Sequence, residues 1–155
     1  MLDSFPVGKA YHSGLVNANW SKYSLPDVFR ERGIPAEELK MGDELTIGGV
    51  HLKVLSPEDR TGGVTAKGST NINNLSLVIR FDYQEHSALF PGDIYVERES
   101  DLIRQWGSTL DVDLLKMPHH GTEVSNSQPF AKVTSPEIAV AMGRRAVQRD
   151  NYYYY

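Results

Sequence analysis

The chain has 155 residues, with 16 Lys+Arg against 20 Asp+Glu for a formal net charge of −4, 40% hydrophobic residues and no cysteine. That composition suits one globular domain with a real core, and the missing cysteines exclude a disulfide framework, a thiolate metal site and a Cys nucleophile. The mild acidity argues against a strongly basic nucleic-acid module, and no run approaches the roughly 20 apolar residues of a membrane span.

In chain order, Phe5-Pro6-Val7 reads as a short strand and Ser13-Gly14 as a loop, with Trp20 as a local anchor. Ser24 or Pro26-Asp27 starts a helix that Gly33 can stop, and an early proline costs little because its missing N–H would be unpaired there anyway. Pro35 to Leu39 reads as a turn of linker. Gly48-Gly49 between Asp43–Ile47 and Val50–Leu55 predicts a tight hairpin, because that dipeptide tolerates positive φ. The stretch from Glu58 to Asn73 is polar and Gly/Thr/Asn-rich, which reads as a functional loop.

A second hairpin is predicted from Leu75–Phe81 and His86–Phe90, joined by Asp82 to Glu85. Val96, Leu102, Ile103 and Trp106, spaced among charges, predict a half-exposed helix from Tyr95 to Trp106. Asp111 to Met117 reads as a strand, Gln128 to Val133 as a short helix, and Ile138 to Met142 as another buried strand. Hairpins followed by strand–helix–strand–helix–strand predict an α/β domain with a mixed sheet. We expect one domain over residues 1–150 and a disordered or artefactual tail over 151–155, where four tyrosines end the chain.

Two places put titratable groups directly after an apolar strand. Ala88-Leu89-Phe90-Pro91-Gly92-Asp93 delivers a carboxylate, and Leu114-Leu115-Lys116-Met117-Pro118-His119-His120-Gly121 delivers two imidazoles. Strand ends are where α/β folds build sites on rigid elements. A carboxylate and an imidazole converging there suit Zn²⁺, Mn²⁺ or Fe²⁺. His51 and His86 fall within strands and read as structural, as does His12 in its loop.

These segments resemble the later half of the metallo-β-lactamase superfamily, in the form found in competence-type (ComEC) DNA-uptake proteins. The resemblance rests on Asn73-Asn74-Leu75-Ser76-Leu77-Val78, then Pro91-Gly92-Asp93, then Leu115-Lys116-Met117-Pro118-His119-His120-Gly121-Thr122, then Pro136-Glu137-Ile138-Ala139-Val140. Pro91 stands for the usual Thr of the T-G-D turn, and Thr122 for the Ser of the H-H-G-S loop. The match covers roughly residues 45 to 143, and more loosely Phe5 to Gly14.

The resemblance implies an αββα sandwich, here incomplete and corresponding to its C-terminal part. It also implies a metal-dependent hydrolase using Zn or Mn on a phosphodiester, with DNA as the substrate linked to uptake. Asp93 matches the carboxylate that bridges two metals, and His119, nearest the strand end, is taken as the histidine ligand. His120 then orients it or acts on substrate as the catalytic imidazole. Gly121 and Thr122 offer N–H groups to a phosphate or developing oxyanion, and Asn74 stands where relatives place another ligand histidine, a position better suited here to substrate contact.

One departure shapes the expectation. The superfamily's early H-x-H-x-D-H motif is absent, and no two histidines sit two apart. Metal activation of water needs about three protein ligands and an open position. We therefore expect a partial domain whose remaining ligands come from a second copy or an upstream half. The alternative is a degenerate, non-catalytic module for binding or assembly, whose exposed strand edges favour pairing. Arg144, Arg145 and Arg149 form a small basic cluster that reads as a solvated surface. A competence channel would put the domain on the outer face of the membrane, and a standalone relative would put it in the cytoplasm.

Overall fold

A computed structural model of the chain describes residues 4–14, 25–58 and 72–143. Trp20, Ser24, most of the polar loop, the three arginines near the end and the tyrosine tail lie outside the described residues. The described elements are β1 (Ala10–His12), α1 (Leu25–Glu31), β2 (Ala36–Glu38), β3 (Glu44–Ile47), β4 (Val50–Ser56), β5 (Val78–Tyr83), β6 (His86–Phe90), α2 (Val96–Trp106), β7 (Leu114–Lys116), α3 (Gln128–Thr134) and β8 (Ile138–Val140).

β3 to β8 form one six-stranded sheet in sequence order. The first four strands pair antiparallel, and β6, β7 and β8 pair parallel. The sheet is therefore mixed, as the order of elements predicts. Gly48 and Gly49 have φ of 59° and 85°, the two positive values that a two-residue turn matching strand twist requires. The second hairpin is tighter than expected. Asp82 and Tyr83 stay paired with Ser87 and His86, so only Gln84 and Glu85 turn.

Two further expectations are corrected. The strand expected at Phe5–Val7 lies at Ala10–His12, and the linker at Pro35–Leu39 contains β2, which pairs parallel with β1. Ala36, Glu37 and Glu38 are all exposed, so no alternation marked them as a strand, and only the long-range partner makes them one. β8 was expected to be buried, yet Ile138 is 58% exposed. Among the described residues it is the edge strand and pairs only with β7. Ile138 and Val140 lie opposite Leu114 and Lys116, on the face away from the Leu115 core.

That core sits between one face of the sheet and helices α2 and α3. Leu55, Val78, Leu89 and Leu115 from the strands meet Leu102 of α2 and Phe130 of α3, with Ile94, Leu110 and Val112 from the connections. Each such side chain contributes about 1.5–3 kcal/mol relative to exposure. α2 carries Glu97 and Glu99 in its first turn and Arg104 in its last, charges placed to suit the helix dipole. α3 starts where the Ser127 hydroxyl accepts the Phe130 N–H, a side-chain cap. No described helix is long and apolar enough to cross a membrane.

Candidate functional site

The parallel core fixes the site. β6 ends at Phe90 and β7 at Lys116, side by side, so the segments following them leave the sheet at the same edge. The His119 N–H donates to the Gly92 carbonyl at 3.1 Å, tying the two exits together. Gly92 has φ of 67°, and a Cβ there would lie 2.5 Å from Cβ of Ser76. Only glycine allows the chain to turn this tightly against its neighbour. Ser76 Oγ accepts the Asp93 N–H at 3.2 Å and donates to the Asn73 carbonyl at 2.8 Å.

Beyond β7 the backbone enters a rare conformation. His119 has φ 45° and ψ 44°, His120 has φ 60° and ψ 13°, and Gly121 follows at φ 86°. Left-handed backbone costs an L-residue about 1–2 kcal/mol, and such strain persists only where surrounding structure enforces it, commonly at functional sites. The strain turns the His120 ring so that Nε2 lies 3.4 Å from Oδ2 of Asp93. The other carboxylate oxygen, Oδ1, faces Lys116, whose Nζ lies 3.2 Å away and also donates to the Gly92 carbonyl at 2.9 Å.

The histidines thus face different surroundings. The ring of His119 packs on Tyr95, centroids 4.9 Å apart, and its buried Nδ1 has no hydrogen-bond partner among the described residues. Such a group is costly to bury and is a frequent marker of function. Asn74 is committed to the backbone: its Oδ1 accepts the Tyr95 N–H at 2.8 Å. Gly121 is buried beside Met117 and Ala141, and Thr122 donates its N–H to the His119 carbonyl at 3.1 Å. Away from this centre, His12 Nδ1 accepts the Gly14 N–H, and His51 lies 3.6 Å from Glu44.

A second set of residues holds the loop. Glu99 of α2 is fully buried, and its carboxylate accepts the backbone N–H groups of Asn126 and Ser127. Burial pushes its carboxyl above the ordinary value, against the opposing pull of those hydrogen bonds. The Asn126 amide in turn donates to the carbonyls of Pro118 and Thr122 at 3.0 and 3.1 Å, bracketing the His119–Gly121 turn. Sequence reading missed Glu99, because a glutamate in an amphipathic helix looks solvated. It also passed over Lys116, although a lysine ending an apolar strand is itself a signal, since lysine is rarely buried unpaired.

The metal expected from the resemblance can be tested on the donor set. The 3.4 Å between His120 Nε2 and Asp93 Oδ2 is about the ligand–ligand spacing of a tetrahedral ion with bonds near 2.1 Å. Among the described residues, however, no three His, Asp or Glu side chains gather as a metal site, and Lys116 holds the second carboxylate oxygen. Two donors beside an ammonium do not fit a metal centre by themselves.

No family model matches the chain. It is 32% identical over 111 residues to ComE operon protein 3 of Bacillus subtilis, covering 72% of this chain and 13% of that protein. It is 31% identical over 93 residues to competence protein ComA of Neisseria gonorrhoeae, covering 60% of this chain and 12% of that protein. The chain thus spans about an eighth of the length of these relatives. In three dimensions it resembles the CmlA β-hydroxylase E377D mutant, with a TM-score of 0.51 at 14% identity over 77% of this chain and 28% of that one. That likeness concerns the fold alone.

Proposed function

Because the chain belongs to the family of ComE operon protein 3 and related competence proteins, we propose that it is their metallo-β-lactamase-like segment and supplies one edge of a metal-dependent phosphodiester hydrolase centre that acts on DNA during uptake. The observation that carries the reading is the strained His119-His120-Gly121 turn, which holds His120 Nε2 3.4 Å from Asp93. In this reading Asp93 and His120 are the metal-facing pair. His119, stacked on Tyr95, backs the turn, and Thr122, whose N–H is held by the His119 carbonyl, closes it. Zn or Mn is the metal class that a carboxylate and an imidazole suit, and the donors still needed come from beyond the described residues, on a second copy or another part of a longer protein.

The test is metal content. Purified chain dialysed against Zn²⁺ or Mn²⁺ is analysed by plasma mass spectrometry beside Asp93→Ala. Near-stoichiometric metal that the variant loses supports the reading. Metal in neither protein, nor in Lys116→Met, favours the second reading, a non-catalytic binding or assembly module. One observation speaks for that alternative: Lys116 already neutralises Asp93.

A further inference from the structure

We infer that Lys116 is the resident cation of the Asp93 site and competes with any divalent metal for that carboxylate. The Lys116 side chain is only 13% exposed. Its ammonium has two acceptors close by, Oδ1 of Asp93 at 3.2 Å and the Gly92 carbonyl at 2.9 Å. A largely buried ammonium is stable only when paired in this way. Asp93 is engaged from both sides, since His120 Nε2 stands at its other oxygen.

A divalent ion drawn to Asp93, whose side chain is 38% exposed, meets a positive charge held 3.2 Å from the same carboxylate and is repelled by it. To bind, it must drive the ammonium off both acceptors or remain beside it against repulsion. Either route lowers metal affinity. Lys116 therefore keeps the carboxylate neutralised until a fuller set of donors is brought to it. Metal loading of this edge is then coupled to the arrival of those donors, rather than being a property of the edge alone. The inference rests on the geometry around Asp93 and does not require that the centre hydrolyse anything.

The experiment is a titration of the full chain with Mn²⁺ alone, followed by calorimetry and by the loss of the free-ion electron paramagnetic resonance signal. Lys116→Met removes the charge and keeps most of the stem. It should bind Mn²⁺ at least about tenfold more tightly than the unaltered chain. Lys116→Arg should match the unaltered chain, and adding Asp93→Asn to Lys116→Met should abolish the gain. If Lys116→Met does not fold by circular dichroism, Lys116→Gln, which keeps an N–H donor without the charge, should show the same gain. Equal or weaker binding by the folded charge-removing variant overturns the inference. This readout is affinity, so its failure is separate from a failure to find metal-dependent cleavage.

Discussion

At the scale of single residues, the centre is built from conformations that sequence preferences disfavour. Two consecutive histidines in left-handed backbone are held against their own steric cost by the Asn126 amide, the Gly92 carbonyl and the stacking of His119 on Tyr95. The strain can be separated from the chemistry of the ring. His120→Ala and His120→Gly both delete the imidazole, but only glycine is at ease at φ 60°. We expect the glycine variant to be more stable than the alanine variant by about 1 kcal/mol in urea unfolding. Alanine equal to or more stable than glycine would mean that the turn relaxes once the ring is gone. Asp93 and the histidine pair could be picked out from sequence because each follows an apolar strand at a Gly or Pro break. Which imidazole faces Asp93 could not be read there, since it depends on torsions set by residues far along the chain.

At the scale of elements, Glu99 links α2 to the loop that carries the histidines. Its buried carboxyl is raised above the ordinary value near 4.5, chiefly by desolvation, with a smaller contribution from Glu97. Above pH 4.5 the unfolded chain ionises this group while the folded chain still holds the proton, so the folded state binds more protons. Stability from this residue is fully present below 4.5 and is lost as pH rises through the raised folded value. Glu99→Gln should remove that fall, at a cost of about 1 kcal/mol at low pH for one of the two N–H acceptors. Urea midpoints measured across the acid range test it, and an unchanged pH dependence in the variant would contradict the assignment. The hairpins and α3 were readable from Gly-Gly, the turn residues and the Ser127 cap. β2 was not, because three exposed residues become a strand only through pairing with β1.

At the scale of the whole molecule, a mixed sheet with helices over one face brings the ends of β6 and β7 together and exposes β8 at its edge. The order of elements predicts this layering, whereas the exposure of Ile138 depends on which strand ends the sheet. The site at those strand ends holds a carboxylate, an imidazole and an ammonium within hydrogen-bonding or ion-pairing reach, and the chemistry we propose for it is phosphodiester hydrolysis completed by donors from elsewhere. The measurement that tests this most directly is cleavage of single- and double-stranded DNA, with Mn²⁺ or Zn²⁺ in excess, by a full-length competence protein in which this chain replaces the matching segment, so that the donors outside it are present, alongside the same protein with Asp93→Ala. Metal-dependent cleavage is expected, falling at least about a hundredfold in the variant. Cleavage unchanged by the substitution, or none with either metal, would contradict it.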